Sequence, residues 1–89
     1  MGMVANLATI LQIAEIFRKH KKAMIADEIT RQAYEIDASN GNAIDKLDDF
    51  NEMIIQIFDI SRRHYPELVD EISLYLSQVR KQTNKTLLS

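Results

Sequence analysis

FRKHKKAMIADEI, residues 17–29, has Lys or Arg at four of the five positions from 18 to 22, with His20 as the fifth. Its reading decides whether the first part of the chain is one rod or two. Upstream, Leu7, Ile10, Leu11, Ala14 and Phe17 recur at steps of three and four. Downstream, Met24/Ile25, Ile29, Ala33 and Ile36 do the same. Phe17 and Met24 are seven apart with Lys21 between them, so helical phase runs through the basic cluster. That spacing predicts one helix over residues 4–38, roughly 50 Å long at 1.5 Å per residue. The competing reading is two helices broken near Lys21. Bases at a C-terminus, followed by Asp27 and Glu28 in a new first turn, suit the helix macrodipole. A break ordinarily brings Gly, Pro, Asn or Ser, and none stands here. Continuity is therefore the expectation, with Glu15–Lys19 and Asp27–Arg31 as i,i+4 ion pairs.

Beyond this segment lies ASNGNAID, residues 38–45, the clearest punctuation in the chain. Gly41 is expected to close the preceding helix in the left-handed conformation. Asn42 then caps a helix over residues 43–63, with Asp45 as its partner three residues on. That helix is expected to bury Ala43, Leu47, Phe50, Ile54, Ile57, Phe58 and Ser61. HYPEL, residues 64–68, ends it. The residue before a proline avoids helical backbone, and Pro66 suits the first turn of the next helix. A last helix over residues 66–81 carries Leu68/Val69, Ile72, Tyr75/Leu76 and Val79 on its apolar face, and the tail 82–89 is expected to fray. No stretch alternates with period two, so strands are not expected.

These elements point to an all-α fold. It would be a single domain over residues 1–89, built as a small bundle of three to four antiparallel helices joined by short turns. A 50 Å first helix would overhang its partners. Met53, Ile55 and Ile60 also widen the apolar surface of the third helix beyond a single face. Both features predict a homodimer, the commonest symmetric assembly. An 89-residue chain buries only about 60% of its unfolded surface, which adds to the case for association.

Composition narrows the function classes. With 46% hydrophobic and 27% charged residues the chain is globular, and a net charge of −2 provides no general field for polyanions. It has no cysteine, hence no disulfide and no thiolate metal ligand. No uncharged apolar run approaches the ~18 residues of a membrane span, and the first residues lack the basic region of a secretory signal. A cytoplasmic protein without a membrane partner is the expectation.

Two charge clusters are candidates for chemistry. Arg18, Lys19, Lys21 and Lys22, with His20, spread around more than a full helical turn as a collar. They are candidate contacts for a partner or for nucleic acid, although a surface that tracks phosphates repeats on one face. Arg31 and Gln32 lie on a faint helix-turn-helix pattern opposed by Glu28, Glu35 and Asp37. The second cluster is an acidic stripe, with Asp45, Asp48, Asp49 and Glu52 on one helical face. Asp49 and Glu52 form an acid pair that Glu67 and Asp70 repeat on the next helix, beside Glu71. Paired carboxylates on facing helices are a candidate Mg²⁺ site, since hard cations take oxygen ligands. DFNE at 49–52 followed by ELVD at 67–70 resembles the motif pair of the all-α nucleoside triphosphate pyrophosphohydrolases of the MazG kind. Those enzymes carry Glu-x-x-Glu on one helix and Glu-x-x-Asp on the next. Asp49 stands where that family has Glu, and the tail shows no matching set of nucleotide-contacting Lys and Asn. The resemblance implies Mg²⁺ held by Asp49, Glu52, Glu67 and Asp70 and phosphates positioned by it. The dipole alone, however, places acids at helix starts.

His20 and His64 have no acid at a helical i+3 or i+4 position, no serine has a readable triad, and two glycines cannot make a phosphate loop. The expectation is therefore a non-enzymatic interaction or regulatory protein with no catalytic residue and no cofactor. It would present a helical apolar face, and its collar and acidic stripe would set partner choice. The alternatives are the Mg²⁺-dependent pyrophosphohydrolase and a nucleic-acid regulator.

Overall fold

Four α-helices make up the fold in a computed structural model that describes residues 6–88, with side chains for residues 6–79. They are α1 (Leu7–Lys19), α2 (Ala23–Ala38), α3 (Ala43–His64) and α4 (Pro66–Leu88). There is no strand among the described residues. The expected helix start at residue 4 lies outside them. Asn6 caps α1, its Oδ1 accepting from the Thr9 N–H at 3.0 Å and the Thr9 hydroxyl at 3.1 Å.

The single long N-terminal helix is not what forms. The chain turns at residues 20–22, and the longest dimension of the fold is 37 Å, short of a 50 Å rod. Lys21 has φ 66°, alone among the described non-glycine residues in taking a positive value. The Lys22 N–H donates to the Phe17 carbonyl at 3.0 Å, and the Lys21 N–H donates to the Arg18 carbonyl at 3.0 Å. Those two bonds are the complete Schellman closure, normally built on glycine and here built on lysine. The left-handed residue resets helical phase. Met24, in phase by sequence with Phe17, is therefore 88% exposed, whereas Ala26, Ile29 and Ala33 face the core.

The α2–α3 connection also differs from expectation. Gly41 does not take a positive φ. The last carbonyls of α2 are satisfied by other groups instead. The Ser39 hydroxyl donates to the Ile36 carbonyl at 2.7 Å, and the Lys46 ammonium to the Asp37 carbonyl at 2.8 Å. Asn42 caps α3 as its sequence predicts, with Oδ1 accepting from the Asp45 N–H at 2.9 Å. Pro66 opens α4, and the preceding Tyr65 sits at φ −136°, ψ 55°. Helix α4 continues through residues 82–88, which were expected to fray. No glycine or proline stands there to stop it.

The core gathers on α1. Ile10, Ile13, Ala14 and Phe17 meet Ala26, Ile29 and Ala33 of α2, Phe50, Met53, Ile54 and Ile57 of α3, and Leu68, Ile72 and Leu76 of α4. Helix α1 touches all three others, whereas α2 and α4 do not meet among the described residues. The thinnest dimension, 19 Å, fits two helix layers at the usual 8–10 Å spacing. Ala43 and Leu47, expected in the core, are exposed, because the buried row of α3 begins two turns in at Phe50. The Ser61 hydroxyl is fully buried without a hydrogen-bond partner among the described residues, which costs roughly 1–3 kcal/mol. No helix among the described residues is long and apolar enough to cross a membrane.

Candidate functional site

The collar does not surround a rod. It sits at the α1–α2 joint, and four of its five members face acids. Arg18 donates to Asp27 at 3.0 Å and also meets Glu15 at 3.4 Å. Lys19 and His20 both reach Glu71 on α4, His20 Nε2 at 2.8 Å from its Oε1. Lys22 lies 3.9 Å from Glu67, with its ammonium 4.7 Å from the centre of the Tyr65 ring. Lys21 has no ion pair among the described residues. The expected helical pairs are therefore re-partnered. Lys19 serves α4 rather than Glu15, Asp27 takes Arg18, and Arg31 lies between Glu28 and Glu35. Most of the basic charge is compensated inside the fold, which leaves little to attract a nucleic-acid backbone.

The Glu71 carboxylate, held by Lys19 first and His20 second, titrates below the ordinary glutamate range. A carboxylate depressed on folding contributes stability that is full above its unfolded value and is lost as pH falls through the folded one. Glu71→Gln should therefore lower the melting temperature at pH 7. The gap from the parent should close as pH drops below about 4.3, the ordinary glutamate value. Thermal melts across pH 2–7 check this, and an equal gap at both ends would refute the clamp.

The acid pairs do not assemble. On α3 the buried row is Phe50, Ile54 and Ile57. At 100° per residue Asp49 and Glu52 stand roughly 100° and 160° away from it, and both are exposed. On α4, Glu67 and Asp70 lie outside the row of Leu68, Ile72 and Leu76, and Glu67 faces Lys22. No group of three or more metal-binding side chains forms among the described residues.

A cleft between α2 and α3 was not anticipated from sequence. Its volume is 230 Å³. Phe17, Ile29 and Ile57 form its floor, and Ile25 and Met53 line its sides. Ile60 stands at its lip, 47% exposed. Glu28, Gln32 and Gln56 supply its polar rim. Glu28 accepts from Arg31 and, at 2.9 Å, from the Gln32 amide. Those hydrogen bonds, Arg31's foremost, hold its carboxyl down to about 2, so it stays ionised and paired with Arg31 at any physiological pH. The sequence signal for the cleft was the surplus of apolar residues on α3. Its location depends on which helix lies opposite.

An apolar hollow with a few polar groups at its edge is suited to holding aliphatic side chains in place, and no proton-transfer pair faces into it. Comparison of the chain with protein-family models, with curated proteins and with solved structures gives no match, and its function is read from this geometry alone.

Proposed function

We propose that this chain is a small helical interaction protein, working as a homodimer, that captures another protein in the α2–α3 cleft. The carrying observation is the cleft itself, an apolar trough open to solvent between two helices with Ile60 exposed at its lip. Troughs of this kind receive an amphipathic helix whose apolar side chains recur three and four residues apart. Glu28 and Glu35 share the single base Arg31, and the one net negative charge of that cluster favours a partner helix with a basic flank. The other readings draw less support. The carboxylates of the pyrophosphohydrolase reading point outward on separate faces, and the bases of the nucleic-acid reading are largely paired within the fold.

The test is a differential capture. Immobilised parent protein, Ile60→Asp and Met24→Asp are exposed to an extract of the native cell. Both substitutions alter exposed side chains, so all three proteins should fold. A protein held by the parent and by Met24→Asp but at least tenfold reduced on Ile60→Asp is the expected result. Capture by all three alike would remove the cleft from the function.

A further inference from the structure

Helix α3 carries a second apolar row that the four-helix core does not cover. Ile44, Leu47, Asn51, Ile55 and Phe58 follow at steps of three or four. They lie roughly 100° around the helix from Phe50, Ile54 and Ile57. Ile44 is 70% exposed, Ile55 62% and Leu47 38%, while Phe58 is half-buried where the row meets the core. Met53, Gln56 and Ile60, which face the cleft, lie on the opposite flank of the same helix. A partner seated on this row would leave the cleft open.

The charges beside the row indicate what that partner is. The first half of α3 bears Asp45, Asp48, Asp49 and Glu52, and none of these side chains has an ion pair among the described residues. The last turn bears Arg62, Arg63 and His64. Arg63 meets Asp59 at 3.3 Å, and Arg62 has no ion pair among the described residues. Arg62 continues the row one turn past Phe58, and Asp48 flanks the row beside Leu47. A two-fold axis crossing α3 near its middle runs a second α3 in the opposite sense. The acidic end of each copy then meets the basic end of the other, and Asp48 lies about one helical turn along the axis from Arg62 of the second copy, a span the arginine side chain can bridge. Leu47 packs level with the other copy's Phe58, and Asn51 with its Ile55. A parallel pairing would set acids against acids. Isologous contact of this kind is the ordinary geometry of a two-fold dimer.

We infer that the Ile44–Leu47–Asn51–Ile55–Phe58 row is the homodimer interface, closed by antiparallel pairing of α3 with α3 of a second copy. This rests on the reading of the chain as a self-associating interaction protein, and it leaves both clefts facing outward.

Sedimentation equilibrium over a dilution series tests it with purified protein alone. The parent should run at twice its 10.3 kDa mass at tens of micromolar. Ile55→Asp should be monomeric with unchanged helical circular dichroism, and Ile60→Asp should remain dimeric. Arg62→Glu and Asp48→Lys should each weaken the dimer about tenfold, and the double variant should return to within about threefold of the parent. A monomeric parent overturns the inference while leaving the cleft reading to be judged by its own capture test. An Ile55→Asp dimer of parental strength overturns it. A double variant no stronger than either single overturns the antiparallel pairing. Loss of the dimer in Ile60→Asp alone would put the second copy in the cleft and overturn both readings.

Discussion

Phe17→Ala should be the most damaging single truncation in the described core. Phe17 is buried at the end of α1, where its carbonyl receives the Schellman bond from Lys22. Its ring floors the cleft and meets the Tyr65 ring edge-on, with centroids 6.0 Å apart. Removing a buried phenyl ring costs about 3–5 kcal/mol. A chain of 89 residues at about 0.05–0.15 kcal/mol per residue has only ~4–13 kcal/mol in all. The melting temperature should fall by ~15 °C or more, read from a thermal transition that stays cooperative. Phe17→Leu should recover more than half of the loss, because most of the apolar volume returns. A drop under about 3 °C for Phe17→Ala would show that α1 is not the centre of the core.

Lys21 should respond in opposite directions to its two most telling substitutions. A left-handed residue with a Cβ carries a cost of roughly 1–2 kcal/mol, part of which glycine returns through its freer unfolded chain. Lys21→Gly should therefore stabilise the fold by ~1 kcal/mol, raising the melting temperature by about 4–8 °C. Lys21→Pro fixes φ near −65°, where the structure has 66°, and removes the N–H that donates to Arg18. A loss of ~3 kcal/mol or more is expected. Denaturant unfolding at pH 7 reads both values. If glycine destabilises and proline is tolerated, the α1–α2 helix is continuous after all.

The reading of this joint shows where sequence reasoning stopped. Helix existence, the Asn42 cap and the Pro66 start are local properties, encoded within four residues, and could be read directly. The break at Lys21 uses the same local geometry but with a residue that gives no compositional signal. Phase continuity from Phe17 to Met24 therefore pointed to a rod. The Lys19–His20–Glu71 clamp joins positions more than fifty residues apart, beyond any helical spacing rule. The cleft had a visible half, the apolar surplus of α3. Its other half, Ile25 and Ile29, takes its place only because α2 turns back at the joint. The acid pairs were legible as a pattern. Their outward placement follows from the phase of the buried row, which the motif spacing alone does not weigh.

The position of α1 has a consequence for how the chain is made. Helix α1 leaves the ribosome before the three helices that wrap it, and its last cover, Ile72 and Leu76, is synthesised more than fifty residues after Phe17. At about 5–20 residues per second, its greasy flanks wait on the order of several seconds for shelter. In that interval the nascent segment is a natural client for a holding chaperone, and completion of the core waits on the synthesis of α4.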